Sequence, residues 1–212
     1  MAYISLDTEK LKANFEYLDK LFKKRDIHWA IVTKFLCGNK DYIREVLQLN
    51  ISQVCDSRVS NLKLIKTLRP DIETIYIKPP ARRAVRGVVK YADISMNTEL
   101  ETLKILGQEA EKQGKIHKVI IMIELGELRE GIMRDSVIDF YDKVFKINHI
   151  EVVGIGANLS CLYGILPNQD KLIQLCLYQQ LIEAKFNKKI QYVSGGSSVT
   201  IPLIFQSLLP KG

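Results

Sequence analysis

Residues 118–157 read KVIIMIELGELREGIMRDSVIDFYDKVFKINHIEVVGIGA, and their reading decides the fold. Residues 118–123 are an apolar run rich in Ile, too short for a helix and bounded by a glycine-bearing loop. Runs of this kind are strands buried on both faces of a parallel sheet. A helical stretch follows at 135–145, and a second apolar run at 152–157. Strand, helix and strand in that order imply parallel strands joined by a right-handed crossover.

The same alternation continues on both sides. Strands are predicted at 29–32 (WAIV), 53–55 (QVC), 74–77 (TIYI), 93–96 (DISM) and 191–193 (QYV). Helices are predicted at 41–49, with Ile43, Val46 and Leu47 on one face, and at 59–68, with Leu62, Ile65 and Leu68. Two more are expected at 98–113 and 170–186. The spacing of Leu11, Phe15, Leu18 and Leu21 predicts a leading helix over 8–22. Asn97, with Leu100 and Glu101 after it, reads as a capping box for the helix over 98–113. Two architectures suit such a chain, a doubly wound sheet and a (β/α)8 barrel. Seven units at regular spacing favour the barrel, so the expected fold class is α/β, a TIM-type (β/α) barrel with seven of eight β/α units. Leu208 to Gly212 falls where an eighth strand would begin. Residues 1–212 are therefore expected to form one barrel domain without strand eight: a fragment, a truncated product or a barrel closed in some other way.

Composition narrows the function. The 212 residues are 47% hydrophobic and 26% charged, ordinary values for a globular protein. No apolar stretch is long enough for a membrane span, and residues 1–15 do not resemble a secretion signal. Cys37, Cys55, Cys161 and Cys176 are far apart with no CxxC pair, which suggests free thiols in a reducing cytoplasm. The net charge of +7 is spread over many helices without a run of like charge, so no nucleic-acid partner is expected.

Active sites of parallel barrels lie at the C-terminal ends of the strands. This rule selects Thr33 and Lys34 after the first strand, Asp56, Ser57 and Arg58 after the second, and Lys78, Arg82 and Arg83 after the third. Asn97 follows the fourth strand, and Glu124, Glu127 and Arg129 the fifth. Asn158, Ser160, Cys161 and Tyr163 follow the sixth, and Ser194 to Ser198 the seventh. The rule sets aside His28, His117 and His149, which precede strands, so neither histidine catalysis nor a metal site is expected. Lys34 is either a strand-end lysine reaching solvent or, if partly desolvated, a nucleophilic amine able to attack an aldehyde. Ser194, Gly195, Gly196, Ser197 and Ser198 form either a simple left-handed turn or a phosphate cradle of backbone N–H groups before a short helix over 201–208. Arg129 suits an anionic oxygen or an ion pair with Glu127 or Glu130.

Together, ISLDTEKLKANF, AIVTKFLCGN, DSRVSNLK, KYADISMNTELETLK, VIIMIELGELREG, GIGANLSCLYG and VSGGSS resemble the alanine racemase N-terminal family of barrel enzymes, and its ornithine racemase branch in particular. The resemblance runs in order over essentially the whole chain. It implies pyridoxal 5'-phosphate (PLP) as cofactor, covalently held by Lys34, which also serves as one of two racemisation bases. It implies that Ser197, with Ser194, Gly195 and Gly196, helps hold the phosphate, and that Arg129 lies near the phenolic oxygen. Asn158 stands where alanine racemases carry a histidine beside the ring. The implied reaction interconverts L- and D-amino acids. The family arginine on strand eight and the tyrosine base from a partner's C-terminal β domain have no counterpart here. Cys161 and Tyr163 on the loop after the sixth strand are either a substitute second base or packing residues, and the packing reading is favoured. The implied alternatives are a barrel protein that carries PLP without turnover and an inactive truncated racemase. A small-molecule amino-acid substrate, a cytoplasmic location and a homo-oligomer, a dimer, are expected. The oligomer follows from the sheet edges an open seven-stranded barrel would expose, which residues 3–7 or a partner chain would cover.

Overall fold

A computed structural model describes residues 5–210, which form two compact units. One consists of residues 5–77 with 91–93, the other of residues 78–90 with 94–210.

The first unit opens with α1 (Thr8–Lys23). The Asp7 carboxylate caps it by accepting the Lys10 N–H at 3.0 Å, satisfying a donor that the first turn leaves open. Phe15 and Phe22 then pack on Trp29, each with ring centroids 5.3 Å apart. The chain continues through β1 (Ile31–Val32), α2 (Lys40–Leu47), β2 (Gln53–Asp56), α3 (Val59–Leu68) and β3 (Glu73–Tyr76). The strands are parallel, with Val32 opposite Cys55 and Asp56 opposite Tyr76. Ile43 and Val46 of α2, Leu62 and Ile65 of α3, and Val54 of β2 are buried, each worth about 1.5–3 kcal/mol of transfer free energy. Lys66 ties α3 to the unit. Its Nζ donates to Ile72 O and pairs with Asp93 Oδ2, both at 2.7 Å. Burial pushes the Asp93 carboxyl up, but the Lys66 ammonium and the Thr74 N–H outweigh it and hold it below its ordinary value.

The helix α4 (Val85–Tyr91) leads into the second unit. There β4 (Ile94–Asn97), α5 (Leu100–Lys112), β5 (His117–Met122), α6 (Val137–Val144), β6 (Ile150–Gly156), α7 (Gln169–Phe186), β7 (Tyr192–Ser194) and α8 (Ile201–Phe205) alternate. Strands β4 to β7 pair in parallel and in sequence order. Val119, Ile121 and Ile155 are fully buried, as the near-continuous apolar runs require. Among the described residues no helix is long and apolar enough to cross a membrane.

All seven expected strands are present within two residues of the expected bounds, and the differences between expectation and structure have local causes. Helix α4 has no counterpart in the sequence reading. Its VRGVVKY sequence carries three valines and a glycine, all poor helix formers, and only burial of Val85, Val88 and Val89 on one face secures it. Asn97 does not cap α5. It ends β4, fully buried, and its Nδ2 donates to Ser95 O and Ser95 Oγ, both at 2.9 Å. The helix α8 stops at Phe205 because Ser207 turns left-handed (φ 57) and the Leu208 N–H returns to Leu203 O at 2.9 Å. Residues 3 and 4 of the segment proposed to cover an edge lie outside the described residues; Ser5 to Asp7 form no strand.

Candidate active site

Lys34 lies in the first unit, on a turn that its neighbours hold firmly. Its side chain is exposed, as in the first of the two alternatives that its strand-end position left open, a lysine reaching solvent. The chain leaves β1 at Thr33, which is completely buried. The Thr33 N–H donates to Cys55 O at 2.9 Å, and its hydroxyl donates to Asp56 Oδ2 at 2.8 Å. Asn61 Nδ2 donates to the same oxygen at 3.1 Å, and the Arg58 N–H donates to Asp56 Oδ1 at 2.8 Å. The buried Asp56 carboxylate thus receives three donors, one from the end of β1 and two from the start of α3, as a buried polar group requires. A single helical turn (Lys34–Leu36) follows, anchored by buried Leu36. Asp56 thus fixes Thr33, the residue from which the Lys34 turn starts. Nearby Cys55 is no competing nucleophile, because burial pushes its thiol up to about 12.

The other expected site residues lie in the second unit. The chain leaves β5 into a loop that returns on itself. Glu124 N–H donates to Ile132 O at 3.0 Å and Ile132 N–H donates to Met122 O at 2.8 Å, so the ends of the loop are stitched together. Two buried glutamates organise what lies between. Glu124 accepts the Gly126 N–H, and Glu127 accepts the N–H groups of Ser160, Leu162, Tyr163 and Ile165 from the loop after β6. Those donors, the Leu162 N–H first, hold the Glu127 carboxyl below its ordinary value of 4.5 against the opposing effect of burial. Glu127 is thus not available to Arg129. Arg129 instead pairs through Nε with Glu130 Oε2 at 3.4 Å, and Asn158 Nδ2 donates to Glu130 Oε1 at 2.9 Å. The structure therefore brings Arg129 and Asn158 together on one carboxylate. Cys161 Sγ approaches Asn158 Oδ1 at 3.5 Å, and Tyr163 is exposed.

A folded carboxyl held below its unfolded value adds stability above the unfolded pKa, and that stability is lost as pH falls through the folded one. The loop of residues 160–165 is therefore expected to stay protected above about pH 4.5 and to loosen on acidification below it. Amide hydrogen exchange at Ser160, Leu162, Tyr163 and Ile165 reads this directly. In Glu127→Gln the same amides should exchange faster at neutral pH and lose the acid step. An acid step of unchanged size in that variant would assign it to another group.

The glycine loop follows β7. Ser194 ends the strand and its carbonyl accepts the Ala157 N–H at 3.0 Å. Gly196 has φ +120, and a Cβ there would stand 2.7 Å from Thr200 Oγ1, so glycine is required. Thr200 closes the turn, its N–H bonded to Ser197 O at 2.9 Å and its hydroxyl to Gly195 O at 3.2 Å. Gly196, Ser197 and Ser198 are exposed, and among the described residues their N–H groups have no acceptor. Three consecutive open donors with two serine hydroxyls suit an oxyanion.

His117 opens β5 and His149 precedes β6, at the ends opposite these loops. Among the described residues no group of three or more His, Cys, Asp or Glu side chains could hold a metal ion. The alanine racemase N-terminal domain model matches residues 6–207. The chain belongs to that family. It is 38% identical over 210 residues to the ornithine racemase of Acetoanaerobium sticklandii, covering 99% of this chain and 59% of that protein. It is 22% identical over 207 residues to the lysine racemase of Thermotoga maritima, covering 98% and 58%. The chain thus spans about three-fifths of the length of the curated relatives it matches. The fold is shared with PipY of Synechococcus elongatus PCC7942 with PLP bound, at TM-score 0.71 and 15% identity, covering 84% of this chain and 86% of that one. With its alternating parallel units, the family member has an α/β fold of the TIM-type (β/α) barrel class.

Two features of the site were missed in the sequence. Nothing in the spacing of Glu127 marked it as the clamp of another loop, because its four donors come from residues more than thirty positions away. Glu130 looked like one of two equivalent partners for Arg129, and only its second bond, to Asn158, sets it apart.

Proposed function

We propose that this chain is the PLP-binding barrel part of an amino-acid racemase, with ornithine or lysine as the substrate class. The observation that carries this reading is Lys34, on a turn pinned through Thr33 by Asp56, in a chain 38% identical to an ornithine racemase. The residues suit a phosphorylated aldehyde. In the first unit Lys34 supplies a primary amine for covalent attachment; in the second, the open N–H groups of Gly196, Ser197 and Ser198, with Ser194 and Gly195 shaping the turn, suit a phosphate. The Arg129 guanidinium suits the phenolic oxygen, and Asn158 the ring edge. When bound, PLP supplies an electron sink that acidifies the substrate Cα proton. Lys34 Nζ takes or returns that proton on its own face, as a positioned general base and acid. The second base is assigned to no described residue; Cys161 and Tyr163 are the nearby candidates. A cytoplasmic location and a homodimer belong to the same reading.

A second reading is a PLP carrier without turnover. It is supported by the fold shared with PipY of Synechococcus elongatus PCC7942, solved with PLP bound, at TM-score 0.71. One experiment separates the two. The chain is loaded with PLP, its absorbance band is recorded, and L-ornithine, L-lysine and L-alanine are each followed by chiral chromatography. The racemase reading expects the D-enantiomer of ornithine or lysine to accumulate to equality. A band without any D-product would refute turnover by this chain and leave the carrier reading standing, and absence of the band would end both readings.

A further inference from the structure

We propose that Glu130 is a positioning residue for the PLP ring: it aligns Arg129 and Asn158 on one carboxylate and draws off part of the arginine's charge. The inference rests on the proposed function for its ligand, but the geometry stands within the second unit alone. Glu130 Oε1 accepts Asn158 Nδ2 at 2.9 Å and Oε2 faces Arg129 Nε at 3.4 Å. The Glu130 side chain is only 12% exposed, whereas that of Arg129 is 32% exposed. The shielded carboxylate is thus the fixed member of the pair.

The consequences follow from the shapes of the groups. A guanidinium has five N–H donors in a planar fork. The ion pair with Glu130 at 3.4 Å holds the guanidinium beside the carboxylate and leaves N–H groups for an oxyanion. An unpartnered arginine would lose that position to rotamer freedom. Asn158 has two different amide edges; donation from Nδ2 to Glu130, with Cys161 Sγ at 3.5 Å from Oδ1, fixes which way round the amide stands. Gly131, immediately after Glu130, bends the backbone so tightly against Glu124 that the carboxylate is delivered at one place. The negative charge beside Arg129 also tempers what the arginine does to a phenolic oxygen. A bare guanidinium would favour the deprotonated oxygen strongly, and a shared one does so less.

The test is a pH titration of the absorbance band of the PLP-loaded chain, with PLP affinity measured alongside. Glu130→Gln keeps an acceptor for Asn158 but removes the charge. Its midpoint is expected to fall by roughly one pH unit, a tenfold change in proton affinity. In an Arg129→Ala background the same substitution should leave the midpoint where Arg129→Ala alone puts it, because the effect passes through the arginine. Asn158→Ala leaves the Arg129 pair intact. It should weaken PLP binding by about tenfold, the cost of one lost polar contact, without moving the midpoint. A merely structural role for Glu130 would change affinity or melting but not this pattern. Equal midpoints in the unaltered chain and Glu130→Gln would overturn the inference, as would a shift that persists without Arg129. A band that Glu130→Gln leaves unmoved overturns this inference alone, whereas no band in the unaltered chain overturns the PLP reading and this inference with it.

Discussion

Lys34→Ala is expected to abolish covalent PLP binding and to lower any racemisation by at least about 10³-fold. The substitution removes both the amine that attaches the cofactor and a base that handles the Cα proton. Its chain neighbours Thr33, Phe35 and Leu36 carry no amine. Borohydride reduction followed by peptide mass measurement reads the result: the unaltered chain should carry one reduced pyridoxyl group on the peptide containing Lys34, and the variant none. The fold should be indifferent, because the side chain is exposed. A stability change within about 0.5 kcal/mol is expected in denaturant titration. An adduct of undiminished yield in Lys34→Ala would move the attachment point to another lysine. Another strand-end lysine that the sequence singles out is Lys78, after β3, in the second unit.

Gly131→Ala is expected to be the most damaging single methyl group in the second unit. Gly131 has φ +136, a region that residues with a Cβ rarely enter. A Cβ there would lie 2.4 Å from Glu124 N and 2.6 Å from Ile123 C. Both are backbone atoms of the strand end and cannot swing away as a side-chain tip would. The strain of the conformation and the forced displacement together amount to roughly 2–5 kcal/mol. For a chain of this size each kcal/mol moves Tm by about 2–4 °C, so calorimetry should register a fall of roughly 4–20 °C. The displacement would also break the Glu124–Ile132 hydrogen bond and splay the loop that carries Arg129 and Glu130. A variant with unchanged Tm would mean that the loop has a second conformation open to alanine.

The alternation of short Ile- and Val-rich runs with helical stretches determined the α/β class, the seven strands and the end of each strand at which polar residues gather. Those features depend on local spacing and on which residues tolerate burial, and both are written along the chain. The family resemblance, carried by residues from the first helix to the glycine loop, pointed to the same fold and to Lys34. The helix α4 was not legible, because its valines and glycine favour other conformations and only tertiary burial overrides them. Asn97 looked like a cap because its position suits one; the strand continues through it, and its amide is spent on Ser95. The exposure of Lys34, the clasp of Asp56 on Thr33, the grip of Glu127 on four distant N–H groups and the double bond-making of Glu130 were decided by tertiary structure alone. A carboxylate's role depends on which donors the fold carries to it. Those donors come from segments that share no periodicity with it, so no pattern along the chain announces them.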